Sequence, residues 1–540
     1  MNIRYPDVLA VYCGNASADV TAKVKGENTL VKDDVNVTLA LSDGRICVSL
    51  AADKTPVRYV KLRWNFAESE KRRDGVKVYG DVWERGYGDL EWKGIVPDRA
   101  MPWVCAVSNG SDRNPDTAGR CTECFGVAVR PHAMCFWNYD TAGVTLWLDT
   151  RCGGNGVVLS GRNVELCTVL FAEYRDTTAF FALRDYYKKL NPSPLTCGHK
   201  VYGENNWYYA YGKTSHADAL SDAALLSEMT EGLENRPYSV LDDGWQKNDC
   251  DAPWDVLREG KFCDMKVFAD EVRAKNVCPG IWMRPLCDRN FEVTPPDSEM
   301  RLSRNTEFLD PSHPDTLAYV AKTIDMICSW GFELIKHDFS TFDAVGFWGF
   351  QRHDIFADDD WNYFDRSKTT AEVILALYET IYEAAKGRAL ILGCNVIGHL
   401  AAGLVHLNRT GDDTSGREWH RMVKYGVNAL AFRLLHHGAF YESDADCVGI
   451  MGLIDWKYNK QWLYLLAHSG TPLFVSPDPK ALTEEERRDV EEAYRVNSVQ
   501  SDIAIPLDWM ENNAPENWLI NGEYVHFDWY PEDGVNFIKA

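Results

Sequence analysis

Asp338 closes a short run, Glu333-Leu334-Ile335-Lys336-His337-Asp338, of the kind that places a catalytic group at the end of a barrel strand. A second acidic cluster lies downstream in Arg409-Thr410-Gly411-Asp412-Asp413-Thr414. Two carboxylates on the C-terminal ends of different strands are the minimal equipment for cleaving a glycosidic bond through an oxocarbenium-like transition state. The chain also carries 19 Trp and 25 Tyr, more than packing needs, and the face of an indole stacks well on the C–H face of a pyranose. Trp207, Trp245 and Trp282 sit beside acids at predicted strand ends, where a sugar platform belongs.

Bringing these acids together requires a repeating strand–helix frame. A chain of 540 residues exceeds what one core organises, so two or three domains are expected. Up to residue 195 the pattern is one of short alternating strands, Val37–Leu41, Ile46–Leu50, Val57–Leu62 and Val144–Leu148, which predicts an N-terminal β-sandwich over 1–195. The segment Leu190-Asn191-Pro192-Ser193-Pro194-Leu195 marks the boundary. Over 196–478, strand-like runs at Tyr202–Tyr209, Ser239–Leu241, Gly280–Met283, Glu333–His337, Ala389–Gly393, Val405–Leu407, Ala429–Leu434 and Leu473–Ser476 alternate with helical periodicity such as Thr316–Trp330 and Thr369–Ala385. Eight strands with intervening helices predict a (β/α)8 TIM barrel, an α/β fold whose active site lies where the strands end. An open doubly wound sheet would want a Gly-rich phosphate turn after an early strand, and the sequence has none. The remaining 479–540 read as a short C-terminal unit, a helix with an acidic first turn from Thr483 and hairpin strands around Trp518–Ile520 and Tyr524–Trp529.

On this frame the rim collects Asp242-Asp243 from the second strand, Trp282 and Arg284 from the third, Lys336 and Asp338 from the fourth, Cys394-Asn395 from the fifth and Arg409 to Asp413 from the sixth. Adjacent acids in a turn are ordinarily solvated or helix caps. Their coincidence over five consecutive strand ends is what singles them out.

In this order the segments Asn206-Trp207-Tyr208, Leu241-Asp242-Asp243, Pro279-Gly280-Ile281-Trp282, Ile335-Lys336-His337-Asp338-Phe339, Leu390-Ile391-Leu392-Gly393-Cys394, Arg409-Thr410-Gly411-Asp412-Asp413-Thr414 and Ser443-Asp444-Ala445-Asp446-Cys447 resemble the retaining α-galactosidases of glycoside hydrolase families 36 and 27 (clan D). The resemblance implies Asp338 as nucleophile, with Lys336 beside it. It implies Asp413 as general acid/base, because an arginine four residues earlier, here Arg409, accompanies the acid in some members. Asp412 is the rival, since other members carry the acid directly after T-S or T-G. Arg409 would contact the 2-hydroxyl, Asp242 and Asp243 the 4- and 6-hydroxyls, and Trp282 and Trp207 would wall the pocket. Asn206 belongs to the same set, Cys394 and Asn395 with nearby His399 would lie by O2, and Trp83 or Trp92 would reach in from the N-terminal domain. The implied activity is exo-acting hydrolysis of terminal α-galactosides by double displacement. K-H-D in place of K-W-D around the nucleophile, and a fifth strand without the Gly-rich run of larger members, leave other readings open. These are an α-N-acetylgalactosaminidase, a β-L-arabinopyranosidase, a galactosyl transglycosidase and an inactive sugar-binding protein.

A formal charge of -23 with a pI near 5.0 disfavours nucleic acid or an anionic membrane as partner. A small-molecule or oligosaccharide substrate fits instead, and oligomers are common in the families the chain resembles. Retaining hydrolysis needs neither metal nor organic cofactor, and none is expected. Cys121 and Cys124 form one isolated C-x-x-C, and His436-His437, read as strand residues, would point to opposite faces, so neither predicts a metal site. The scatter of Cys47, Cys135, Cys263, Cys328 and Cys394, with an opening Met1-Asn2-Ile3-Arg4-Tyr5-Pro6 that lacks a signal-peptide pattern, predicts buried thiols in a cytoplasmic protein.

Overall fold

The computed structural model describes residues 3–14, 19–24, 28–67, 75–113, 116–247, 250, 253–351, 356–530, 532 and 534. The N-terminal region is a sandwich of two antiparallel sheets, one of six strands and one of eight. All four strands expected there are present, as Val35–Ser42, Arg45–Ala51, Val57–Asn65 and Gly143–Asp149. Alternate residues of Arg45–Ala51 are buried, as a half-covered sheet requires. Asp43 and Gly44, both at positive φ, close the hairpin between the first two of these strands.

A helix, Ala179–Leu190, leads from the sandwich to the barrel. The barrel strands are, in order, Tyr202–Asn205, Tyr238–Leu241, Cys278–Met283, Leu334–His337, Leu390–Gly393, Leu407–Arg409, the paired segments Glu442–Asp444 and Cys447–Ile450, and Leu473–Pro477. All their pairings are parallel. The first half of the seventh strand pairs with the sixth and its second half with the eighth. Only Ala445 and Asp446 separate the halves, so one interrupted strand closes the sheet on itself. The fold is thus a TIM barrel behind a β-sandwich, with a small three-stranded sheet at Ile505–Pro506, Asn517–Ile520 and Glu523–His526.

Three expected strands differ. In place of the expected strand at Ala429–Leu434 is the helix Asn428–Arg433, capped by Leu434, and the seventh strand comes later, at Glu442. A short, wholly buried apolar run has no amphipathic period, so pattern alone cannot tell helix from strand. The first strand stops at Asn205, and Trp207–Ala210 is a helical turn ended by Tyr211 in the left-handed region. The sixth lies at Leu407–Arg409, two residues beyond Val405–Leu407, which carries Arg409 to the strand end. The helix Glu484–Asn497, expected in the C-terminal unit, packs on the barrel, where the Tyr494 hydroxyl donates to the Gly203 carbonyl at 2.9 Å. Of the expected buried thiols, Cys135 and Cys394 are buried, Cys47 and Cys328 half-buried, and Cys263 exposed.

Sandwich and barrel are joined through a buried charge. Asp81 accepts from Arg433 at 2.7 Å and from Tyr187 at 2.8 Å, and its second oxygen lies 3.1 Å from His436 Nε2. Burial works to raise the Asp81 carboxyl, but Arg433 and His436 overcome it and hold it well below the usual carboxylate range. Asp81→Ala would strand a buried guanidinium, so a loss of about 3–5 kcal/mol is expected, read as a lower midpoint in thermal or urea unfolding at pH 7. An unchanged midpoint would show that this pair does not hold the two domains together.

Candidate active site

Seven strand ends and one loop of the sandwich enclose a cavity of about 530 Å3. Its wall includes Asp242, Asp243, Trp282, Lys336, Asp338, Asn395, Arg409, Asp412, Asp413 and Trp207. Sites that the sequence scatters over more than 200 residues therefore meet, because parallel strands all point their C-terminal ends to one face.

Asp338 sits at the fourth strand's end, where the chain turns sharply: Phe339 adopts φ 61°, rare for an aromatic residue. That turn brings the Phe339 amide back onto Asp338 Oδ1 at 2.7 Å. Asn395 Nδ2 donates to the same oxygen at 3.2 Å, and Trp282 Nε1 to Oδ2 at 3.3 Å. Burial pushes the Asp338 carboxyl up, but Lys336, Arg85 and Arg409 outweigh it and keep it below its ordinary value. A carboxylate in this setting is ionised and oriented at neutral pH.

Lys336, two residues earlier on the same strand face, donates to Asp242 Oδ2 at 2.6 Å, and Asn205 Nδ2 donates to that oxygen at 2.7 Å. Burial alone would discharge Lys336, and Asp242 foremost among its charged neighbours reverses the shift. Asp243 accepts from Gln246 Nε2 at 2.8 Å.

Arg409 is the hub of the opposite wall. Its Nη1 lies 2.9 Å from Asp446, its Nη2 2.7 Å from Asp413, and its Nε donates to the Gly411 carbonyl at 3.1 Å. Asp446, in the break of the seventh strand with φ 73°, also accepts from Thr414 N, Thr414 Oγ1 and the Tyr208 hydroxyl. Burial raises the Asp413 carboxyl, while Arg409 and Arg85 more than offset this and hold it at about 2. Asp412 turns the other way and pairs with Arg85 at 2.8 Å. Two buried acceptors in the wall, Asn395 Oδ1 and Gln246 Oε1, have no hydrogen-bond partner among the described residues, which suits a ligand rich in hydroxyl donors.

Some expected residues lie elsewhere. Asn206 is behind the wall, donating to Thr214 and accepting from the Asp242 amide, and it is Asn205 that lines the cavity. Cys394 is buried beneath the wall. His399 stacks on Trp103 at 4.9 Å and bonds the Val127 carbonyl, in the interface between sandwich and barrel. Trp245 supports Trp282 from outside, donating to its carbonyl at 2.9 Å. His436 and His437 follow a helix rather than lying on a strand, and His436 serves Asp81. Trp83 and Trp92 are buried in aromatic packing, and the sandwich reaches the cavity instead through Arg85 and Tyr87. Arg85 leaves no signal in the pattern, because the loop is docked at the end of the sixth strand by long-range contacts, Gly86 N with the Thr410 carbonyl at 2.8 Å and Arg85 with Asp412.

No protein-family model matches the chain, and no curated protein is similar to it in sequence. The fold itself has relatives of known structure. The α-galactosidase TtGalA from Thermus thermophilus, solved with p-nitrophenyl α-D-galactopyranoside, superposes with a TM-score of 0.57 over 91% of this chain and 96% of that chain at 16% identity. The glycoside hydrolase family 36 α-galactosidase AgaA from Geobacillus stearothermophilus gives 0.59 over 96% of this chain and 77% of that chain at 14% identity. A variant of AgaA solved with 1-deoxygalactonojirimycin gives 0.58 at the same identity and coverage. The chain has the fold of the family 36 α-galactosidases.

Arg409→Met would leave Asp446 buried with only its neutral donors, and a loss of about 3 kcal/mol is expected in equilibrium unfolding. Full retention of stability would mean that the hub is dispensable to the barrel.

Proposed function

We propose that this protein is a retaining, exo-acting α-galactosidase that hydrolyses terminal α-linked galactose by double displacement. The observation that carries the reading is Asp338, an oriented and ionised carboxylate on the floor of a cavity whose opposite wall presents Asp413 on Arg409. The likeness in fold to α-galactosidases solved with galactoside ligands supports it.

In this reading Asp338 attacks the anomeric carbon and forms a covalent glycosyl-enzyme, while Asp413 protonates the departing oxygen and then activates water for the second displacement. The low carboxyl value of Asp413 is set by Arg409 and Arg85. With substrate bound, Arg409 engages the 2-hydroxyl and loosens its hold, and the displacement of water raises the acid toward the value that proton donation needs. Asp242 and Asp243 receive the 4- and 6-hydroxyls, which for galactose lie on one side because O4 is axial. Lys336 keeps Asp338 ionised, and Trp282 and Trp207 supply apolar walls for the ring.

Asp338→Gly is expected to lose turnover of p-nitrophenyl α-galactoside, and added azide should restore it with formation of β-galactosyl azide, identified by its anomeric coupling constant in proton NMR. Rescue yielding the α-azide, or none, would remove Asp338 from the nucleophile's role. Asp413→Asn should lower kcat by about 10²–10⁴-fold on alkyl α-galactosides and far less on p-nitrophenyl α-galactoside, whose leaving group needs no proton. If Asp412→Asn shows that split instead, the two neighbours exchange roles. Lys336→Met removes a cation that lowers the Asp338 carboxyl, so the acid limb of the kcat/KM profile should move to higher pH, by about 1 unit. An unmoved limb would confine Lys336 to holding Asp242.

A further inference from the structure

All 16 cysteines carry free thiols, and two pairs of them hydrogen-bond thiol to thiol: Cys135 with Cys167 in the sandwich, and Cys250 with Cys287 in the barrel. The pairs differ in access. Cys135 and Cys167 belong to strands of opposite sheets and are enclosed in the core between them. Cys250 lines the wall of the active-site cavity, and Cys287 is buried behind it. A small reagent in the cavity therefore reaches the second pair and not the first.

The barrel brings these two sulfurs together. Cys250 lies in the connection that follows the second strand and Cys287 in the one that follows the third, and because the two strands are parallel neighbours their connections leave the rim side by side. The Arg289 amide donates to the Cys250 carbonyl at 3.0 Å, and Cys287 makes an antiparallel bridge with Phe308. Cys250 itself is held at φ 71°, uncommon for a residue with a side chain. Both backbones are thus fixed where the thiols meet. Arg284 and Arg289 act on both sulfurs, and Arg284 is anchored by the buried Asp343 at 2.7 Å. The hydrogen bond from Cys250, with these arginines, holds the Cys287 thiol below its usual value against the effect of burial. Thiolate character beside cations, at the edge of a solvent-filled cavity, is the setting of a reactive cysteine pair.

We infer that Cys250 and Cys287 form a reversible dithiol–disulfide site, oxidised by hydrogen peroxide that enters through the active-site cavity. Cys250, on the cavity side, passes its proton to Cys287 as its sulfur attacks the peroxide. The S–O bond forms, the O–O bond breaks, and Cys250 becomes a sulfenic acid. The Cys287 sulfur then attacks the Cys250 sulfur, so that the S–S bond forms and the S–O bond breaks. In total the two thiols give up two electrons and two protons, and one peroxide is reduced to two waters. The new bond would tie the connection that carries Asp243 to the one that follows Trp282, across one wall of the cavity.

The test treats the reduced native protein with hydrogen peroxide, blocks the remaining thiols with N-ethylmaleimide in denaturant and maps the peptides by mass spectrometry. The peroxide dose is raised until the exposed Cys263 thiol is consumed. Wild type should then yield peptides joined through Cys250 and Cys287 and separated again by dithiothreitol, with Cys135 and Cys167 recovered as blocked thiols. In Cys287→Ser the sulfenic acid has no thiol to close on, so dimedone should label Cys250 on the order of tenfold more than in wild type. Recovery of Cys250 and Cys287 as blocked thiols at that dose would overturn the site, and so would equal dimedone labelling of Cys250 in the two proteins. If Cys287→Ser does not fold, the mapping of wild type decides alone. The bond should form whether or not the protein cleaves any α-galactoside, so failure of that reading leaves this result untouched.

Discussion

A buried ammonium cannot stand alone, and the pairing of Lys336 with Asp242 is the constraint around which the barrel's rim is arranged. The pair links the fourth strand to the second across the mouth of the barrel. Its cost in desolvation is met by good geometry and by the further donor from Asn205, which ties in the first strand. With Lys336 held in this way, its charge is left acting on Asp338 two residues along the same strand. The floor of the cavity is thus oriented by hydrogen bonds and charged by its surroundings before any ligand arrives.

The same logic repeats on the other wall. Arg409 is shared between Asp446 and Asp413, and Arg85 takes Asp412, so adjacent carboxylates in one short segment are drawn to different cations. This separation gives Asp412 and Asp413 distinct surroundings although the chain places them side by side. It depends on backbone that regular strands cannot provide. Phe339, Asn395 and Asp446 all adopt positive φ at the ends of their strands or within a break, and all three line the cavity. Strain of this kind persists only where packing and hydrogen bonds over-determine the conformation, as the donors to Asp338 and Asp446 do here.

The sandwich takes part in the site as well as covering the barrel. Its loop from Asp81 to Tyr87 is anchored at one end by Arg433 and His436 and at the other by Gly86 against Thr410. Between these anchors Arg85 is delivered to the cavity as a buried cation that acts on both acidic walls. The domain junction and the candidate active site are therefore one structural unit.

What the sequence determined by itself is the set of local signals. Period-two alternation marked the sandwich strands, and the helical period over Thr369–Ala385 marked a helix, which the structure starts with a capping box between Thr369 and Glu372. Short apolar runs ending in acids placed Asp242, Asp338 and their neighbours at strand ends, since a parallel barrel puts functional groups there. Helix and strand could not be told apart at Ala429–Leu434, where burial on all sides removes the periodic signal. Tertiary structure alone decided that Asn205 rather than Asn206 faces the cavity, because a helical turn begins just beyond and reverses the alternation. It alone decided that Arg85 enters while Trp83 and Trp92 stay in the core, and that Asp412 and Asp413 part company. The entry of Arg85 and the parting of Asp412 from Asp413 rest on contacts between residues hundreds of positions apart, Arg85 with Asp412 and Gly86 with Thr410, and a contact of that kind has no period and no local propensity through which a sequence could express it.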